Sequence, residues 1–421
     1  MRSLHVLGGK PLFGALRVQG AKNSALPILA AAVLAEGVSV IRNCPRLSDT
    51  DAAVRILREI GCRVWLDGEA LYVDSSGPVR PEIPESLMRE MRSSVVFLGP
   101  LLARCGEVRL SAPGGCEIGA RPIDLHLLAL RSMGAEIEER GGTLNCRANC
   151  LRGCRVDLPF PSVGATENAV LAACLGRGET LLTNAAREPE IADLQRFLNA
   201  AGASVSGAGS SVIRVQGVKR LHGAAHRVIP DRIAASTWLA ACAAAGGDVK
   251  LYDTEWRHYR PVLRTLKEMG CDLQTGENLV RIRSTGKLKA AGPVVTRPYP
   301  GFPTDAQPLI MAAALRAEGA TAFRETIFES RLRHVPELLR MGADIITEGR
   351  CALVWGVLKL RGAEVRASDL RGGAALVIAA LAAEGETRIC GPEYLDRGYE
   401  SVETSLTELG AEIERKEDRD G

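Results

Sequence analysis

The segment Ala112-Pro113-Gly114-Gly115-Cys116-Glu117-Ile118-Gly119-Ala120-Arg121-Pro122 sets one thiol among small, flexible residues and follows it with an arginine. The nearby cation favours a reactive thiolate, and the glycines supply backbone freedom for a loop that moves or approaches a ligand. The same residues also read as a Gly-rich turn with a packing cysteine, because a free Cys often behaves as a small buried hydrophobe. Lys22, in Gly20-Ala21-Lys22-Asn23-Ser24, adds a point charge to the first turn of a helix, where backbone amides and the dipole already attract anions. A solvated lysine is the alternative there. Asp305, in Gly301-Phe302-Pro303-Thr304-Asp305, puts a carboxylate at another helix start, where a purely structural role as an N-terminal charge also explains it. Arg397, in Asp396-Arg397-Gly398-Tyr399-Glu400, and Arg331, in Glu329-Ser330-Arg331, occupy corresponding loops. Loop arginines are often merely solvated, but several around one site suit bidentate capture of phosphate and carboxylate.

The elements that carry these residues repeat. An apolar residue, Gly and a small residue recur at Ile60-Gly61-Cys62, Met133-Gly134-Ala135, Ala201-Gly202-Ala203, Met269-Gly270-Cys271, Met341-Gly342-Ala343 and Leu409-Gly410-Ala411, about 70 residues apart. Ahead of each lies an Ala-rich stretch, at 23–37, 93–106, 165–178, 232–246, 304–319 and 370–385, apolar nearly all round. Such stretches predict interior helices, with the closing glycine as C-cap. A strand, an amphipathic helix and a strand pair follow, giving a βαβαββ unit written six times. The length favours two domains of three units, helices inside and sheets outside. The expected division is 22–229 against 1–21 plus 230–421, with the first strand, near Leu4 to Val6, completing the second domain and the active site in the cleft between them. The interior helices all begin with polar or charged residues, and these ends are expected to face that cleft. The interval from Gly106 to Gly134 exceeds that from Gly37 to Gly61, and the extra residues carry Cys116, which makes the loop a candidate lid.

Composition narrows the class. Of 421 residues, 46% are hydrophobic and 4% aromatic, so Ala, Leu, Val and Ile build the core. The net charge is +3 with scattered arginines, which argues against a nucleic-acid groove or a polybasic membrane patch and for a small anionic ligand. The longest apolar stretches fall short of the roughly 20 residues that span a bilayer, and the N-terminal residues lack an apolar signal region. A soluble cytoplasmic protein is expected. Twelve dispersed cysteines agree with that. Cys146, Cys150 and Cys154 are evenly spaced, but no CxxC pair or histidine completes a metal set, so incidental thiols are the reading preferred.

The segments 20–29, 113–122, 162–168, 184–190, 229–232, 300–305 and 396–400 together resemble the UDP-N-acetylglucosamine 1-carboxyvinyltransferases, the enolpyruvyl transferases of bacterial peptidoglycan synthesis, in order and over nearly the whole chain. The resemblance implies the two-domain inside-out α/β barrel of that family. It implies transfer of the enolpyruvyl group of phosphoenolpyruvate to the 3'-hydroxyl of UDP-N-acetylglucosamine, with no cofactor and no metal. By the same resemblance Cys116 is the loop acid that protonates the enol methylene and the target of the epoxide fosfomycin, and Asp305 accepts the hydroxyl proton. Lys22, Arg121 and Arg397 hold phosphoenolpyruvate, supported by Arg331 and Arg371. Asn23 meets the sugar hydroxyls, while Arg92, Arg121, Pro122, Ile123, Asp124, Leu125, Ser162, Val163, Gly164 and Ile327 line the UDP-sugar site. Asp231 and Glu188 fit structural roles.

Some positions depart from the family pattern. Phe160-Pro161 and Ser48 stand where lysines are frequent, and Ser330-Arg331-Leu332 varies an Asn-Arg-Phe segment. Enolpyruvylshikimate-phosphate synthase shares the chemistry, but its Gly-Asn-Ala-Gly-Thr motif is absent and the cysteine loop is present. A catalytically silent UDP-sugar-binding paralogue is the alternative of a different class.

Overall fold

The computed structural model describes residues 2–111 and 123–417. Two compact units emerge: one holds the described residues up to Gln19 and from Pro230 onward, the other those from Gly20 to Ile229.

Each unit contains three four-stranded sheets of one pattern, and none of the six closes on itself. A short edge strand runs parallel to the strand that follows an interior helix, and two antiparallel strands complete the sheet. In the 20–229 unit, Ala225–Arg227 lies parallel to Val38–Arg42, followed by Ala70–Asp74 and Arg63–Asp67. The last strand of the third repeat thus joins the sheet of the first. In the other unit, Arg2–Leu7 inserts antiparallel between Glu386–Cys390 and Glu412–Glu417, and Leu12–Arg17 runs parallel to Gly247–Tyr252.

The Ala-rich stretches form the interior. Lys22–Ala31, Leu98–Cys105 and Val163–Ala173 pack within one unit's core, and Arg232–Ala245, Gln307–Ala314 and Leu370–Leu381 within the other's. Every residue from Arg371 to Leu381 is buried, as a helix without a polar face requires. Ala-rich surfaces let these helices approach closely, and each unit buries its own cluster of Ala, Leu, Val and Ile. The second helices are one-sided: Arg260–Glu268 buries Val262, Leu263, Thr265 and Leu266 and leaves its charges in solvent.

All six glycines of the repeated motif, Gly61, Gly134, Gly202, Gly270, Gly342 and Gly410, have φ between 86° and 105°. Each closes a Schellman cap, in which the amide after the glycine reaches back to a leucine carbonyl: Cys62 to Leu57, Ala135 to Leu130, Ala203 to Leu198, Cys271 to Leu266, Ala343 to Leu338 and Ala411 to Leu406. An L-residue pays a steric penalty at such φ, which explains the glycine at every copy. The six leucines are also fully or almost fully buried, each contributing about 1.5–3 kcal/mol by leaving water.

The glycines that end the interior stretches do not all cap helices as expected. Gly106 and Gly246 do, with φ of 75° and 83°. In the first, fifth and sixth repeats the helix stops earlier, and Ala35–Glu36, Ala317–Glu318 and Ala383–Glu384 become two-residue strands parallel to Leu221–His222, Leu288–Lys289 and Leu360–Arg361. In the third, Arg177 bridges Arg152 in the same way. Those residues give their backbone groups to another strand, so the following glycine turns the chain between strands. The second and fifth helices are also preceded by 3₁₀ turns, Arg92–Phe97 and Thr304–Ala306, which shortens their α-helical part.

Candidate active site

Several of the sequence-predicted residues, Lys22, Asn23, Ser162, Val163, Gly164, Asp305 and Arg371, lie at the polar starts of the interior helices. In the unit containing Asp305, that residue sits in the 3₁₀ turn Thr304–Ala306, ahead of the Gln307–Ala314 helix. The turn is held by Glu325, a 2%-exposed carboxylate. Glu325 accepts from Thr304 Oγ1 and Thr296 Oγ1, both at 2.9 Å, and from the backbone N of Ile327 at 2.6 Å and Phe328 at 3.0 Å. One side chain therefore fixes both the Asp305 turn and Ile327.

Asp305 lies between two guanidinium groups. Arg331 Nη2 makes a very short contact to Oδ1, and Arg371 Nε stands 3.4 Å from Oδ2. Arg331 is buried; its Nε donates to Thr304 O at 3.1 Å, its Cζ lies 5.6 Å from the Phe328 ring centre, and its Nη1 is 4.0 Å from Asp369 Oδ1. Asp369 in turn caps the Leu370–Leu381 helix, accepting from the amides of Arg371 and Gly372 at 3.0 Å. Arg371 Nη1 donates to Tyr399 Oη at 3.2 Å, and that hydroxyl pairs with Thr237 Oγ1 at 2.8 Å. Burial opposes the Arg371 charge, but Tyr399, Asp305 and Asp231 outweigh it and hold the guanidinium well above its ordinary range. Asp231 caps the Arg232–Ala245 helix through Ile233 N at 2.7 Å and Ala234 N at 3.0 Å. The starts of all three interior helices of this unit are thus linked by alternating carboxylates, guanidinium groups and hydroxyls. Charge-assisted bonds of this kind are stiff enough to hold one geometry.

In the 20–229 unit, Lys22 opens the first interior helix and is buried, its Nζ 3.1 Å from Asp49 Oδ2. Asn23 is half-buried beside it. Ser162 caps Val163–Ala173 by accepting from Ala165 N at 3.4 Å. Gly164 is needed there because a Cβ would come within 2.9 Å of the His126 ring. His126 Nδ1 pairs with Asn168 Nδ2 at 2.8 Å, and Asn168 Oδ1 accepts from Gly99 N at 2.6 Å, joining two interior helices. Burial pushes the His126 pKa down to about 4; Arg92 adds to that and Asp124 opposes it. Gly164 thus packs against the His126 ring, Arg92 and Asp124 act on it electrostatically, and Ile123 and Leu125 pack against the core.

The structure thus brings together Asp305, Arg331 and Arg371 in one unit, with Ile327 on the same Glu325 clamp. In the other, Gly164 meets His126, whose charge Arg92 and Asp124 influence. Lys22 and Asn23 occupy the separate start of the first helix. Arg397 ends the Pro392–Arg397 turn, two residues before Tyr399. Cys116, Arg121 and Pro122 lie outside the described residues. Sequence reasoning missed Glu325, Asn168 and Tyr399 as supports; the polar Asn168 inside a helix otherwise apolar all round was a usable signal. Among the described residues no group of three or more His, Cys, Asp or Glu is arranged to hold a metal, and no helix is long and apolar enough to cross a membrane.

A family model described as EPSP synthase (3-phosphoshikimate 1-carboxyvinyltransferase) matches residues 6–416. The chain is 51% identical, over 99% of its length and all of the relative's, to UDP-N-acetylglucosamine 1-carboxyvinyltransferase 2 of Caldanaerobacter subterraneus subsp. tengcongensis. It is 50% identical, over 99% of both chains, to UDP-N-acetylglucosamine 1-carboxyvinyltransferase of Nitratidesulfovibrio vulgaris strain Miyazaki F. Among solved structures, the enolpyruvyl transferase NikO from Streptomyces tendae is 28% identical with a TM-score of 0.88 and 98% of each chain covered. An EPSP synthase from Acinetobacter baumannii is 22% identical with a TM-score of 0.76, covering 99% of this chain and 100% of that one, a likeness of fold.

Proposed function

The chain belongs to the EPSP synthase family of carboxyvinyl transferases, and from that premise we propose that it transfers the enolpyruvyl group of phosphoenolpyruvate to the 3'-hydroxyl of UDP-N-acetylglucosamine, releasing phosphate. The observation that carries the acceptor is the 51% identity, end to end, with a relative named for that activity. A shikimate 3-phosphate acceptor is the second reading, favoured by the description of the family model; the EPSP synthase structure shares the fold at 22% identity.

Asp305 takes the 3'-hydroxyl proton as that oxygen bonds to C2 of phosphoenolpyruvate, and Cys116 delivers a proton to the methylene carbon, giving a tetrahedral ketal. Loss of a methyl proton and departure of phosphate restore the double bond as an enol ether. The place of Asp305 between Arg331 and Arg371 supports its role, because both guanidinium groups fix the carboxylate's direction. Lys22, Arg121 and Arg397 hold the phosphate and carboxylate of phosphoenolpyruvate, with Arg331 and Arg371 as supporting members. Asn23 meets the sugar hydroxyls. Arg92, the 121–125 segment, Ser162, Val163, Gly164 and Ile327 bind the UDP-sugar. The reaction needs no cofactor, takes place in the cytoplasm as the first committed step of peptidoglycan synthesis, and involves neither nucleic acid nor membrane.

Acceptor-dependent phosphate release tests this. Phosphate appears from phosphoenolpyruvate when UDP-N-acetylglucosamine is added, and release with shikimate 3-phosphate instead overturns the reading.

A further inference from the structure

The loop Asp396-Arg397-Gly398-Tyr399-Glu400 is tied to the body of its unit at each neighbour of Arg397. Arg415 holds Asp396 with two bonds of 2.8 and 2.7 Å. The amides of Gly398 and Tyr399 both donate to Leu395 O, at 2.9 and 3.0 Å. Tyr399 is anchored by Thr237 and Arg371, and its ring packs edge-on against Trp238 with centres 5.6 Å apart. Gly398 sits so close to the Leu370 side chain that a Cβ would approach it to 2.6 Å.

Gln19 completes this fixation. Its Nε2 donates to Gly398 O at 3.1 Å, and its Oε1 accepts from Glu400 N at 3.1 Å. A primary amide carries donor and acceptor on one planar group, so a single side chain bonds the backbone on both sides of Tyr399. Gln19 is fixed in its turn, because its own carbonyl accepts from Asp231 N at 2.9 Å and Asp231 caps the Arg232–Ala245 helix.

We propose that Gln19 is a positioning residue for the reaction: its carboxamide sets the backbone of the 398–400 segment and thereby the direction in which Arg397 meets phosphoenolpyruvate. This rests on the reading of Arg397 as a substrate cation given above. Gln19 touches no reacting atom and acts through the loop. Without the amide, the Gly398 carbonyl and the Glu400 amide beside Arg397 lose the two bonds that Gln19 makes. Gln19→Ala removes both bonds, whereas Gln19→Glu keeps an acceptor for Glu400 N and sets a carboxylate oxygen against Gly398 O.

Wild type, Gln19→Ala and Gln19→Glu are compared by steady-state phosphate release at varied concentrations of each substrate, and by hydrogen–deuterium exchange over residues 395–402. Both variants are expected to raise the KM for phosphoenolpyruvate about tenfold, the order set by one or two lost hydrogen bonds, while the KM for UDP-N-acetylglucosamine stays within about twofold. Exchange at Gly398 to Glu400 is expected to accelerate. Equal rises in both KM values, which a merely structural role would give, overturn the proposal. So does faster exchange with an unchanged KM for phosphoenolpyruvate, or exchange that does not change. Should the wild type release no phosphate with the UDP-sugar, the functional reading fails on its own, and the exchange data still decide whether Gln19 holds the loop.

Discussion

Ser24 Oγ donates to Asp193 Oδ2 at 2.5 Å, which ties the helix that begins with Lys22 and Asn23 to a carboxylate with no solvent exposure. The same carboxylate faces His226 Nε2 at 3.0 Å, accepts from Ile229 N at 3.1 Å and pairs with Arg196 at 2.8 Å. Burial raises its pKa, but the bonds from His226 and Ser24 outweigh that and bring it below the ordinary value. Asp193→Ala leaves several buried groups without partners and is expected to cost about 3 kcal/mol or more. Urea denaturation measures this, and a loss under about 1 kcal/mol would show the hub to be dispensable.

Asp305→Asn keeps the shape of the side chain and removes its basicity. With Arg331 and Arg371 still able to orient the amide oxygen, kcat is expected to fall about 10²–10⁴-fold, the usual worth of a positioned base. Rapid-quench measurement of the chemical step checks this. A kcat within about tenfold of wild type would move the base elsewhere.

Cys116 is expected to be the residue alkylated by fosfomycin. Peptide mass spectrometry of the treated enzyme locates the adduct. An adduct on the exposed Cys351 instead would remove the support for a reactive 116 loop.

Two histidines make stability depend on acid. Burial lowers His334 to about 4 against the Asp369 charge, the Arg331 charge adding to burial and the bond to the Arg331 carbonyl opposing it, and His126 is likewise lowered to about 4. Below the unfolded value of 6.5 the unfolded chain takes up protons that the folded chain refuses. The stabilisation is therefore complete above pH 6.5 and declines as pH falls towards 4, by about 1.4 kcal/mol per pH unit for each histidine. Burial with Glu190 and Glu188 raises the carboxyl of Glu167, which works oppositely over part of this window. The decisive measurement is the difference in slope between wild type and His334→Asn from pH 7 to 5. Identical slopes would mean that His334 titrates alike in the folded and unfolded chains.

At Gly134 no atom lies within 4 Å of the place a Cβ would take, but φ is 92°. Gly134→Ala should therefore cost about 1–2 kcal/mol through the backbone alone. Gly77 is equally open and has no positive φ, so Gly77→Ala should be neutral or slightly stabilising. Thermal melts of the pair separate backbone strain from crowding, and equal shifts would refute the cap argument.

The six-fold repeat, the interior helices and the polar residues at their starts were legible because each depends on a local pattern: unbroken apolar residues, a terminal glycine, a charge just before the helix. The leucine four residues before each motif glycine was present in all six copies and passed unread, although it is the carbonyl that closes every cap. The two-residue strands were not legible. Ala35 pairs with Leu221 and Ala317 with Leu288, and no local periodicity encodes a partner so distant. The same limit hid Glu325, Gln19 and Asp193. A buried acid or amide is distinguished from a solvated one only by what another part of the chain brings to it, and the apolar face of Pro189–Ala200 gave no sign that Asp193 turned inward.

The place of Arg2–Leu7 between Glu386–Cys390 and Glu412–Glu417 has a consequence for biosynthesis. A ribosome delivers this strand roughly 380 residues before its first partner, a wait on the order of 20–80 s at bacterial elongation speeds. During that time Leu4 and Val6, fully buried in the finished protein, have no sheet to enter. The Gly20–Ile229 unit contains all the strands of its own three sheets, so its sheets can form while Arg2–Leu7 is still unpaired. This strand is thus made long before either of the strands that pair with it.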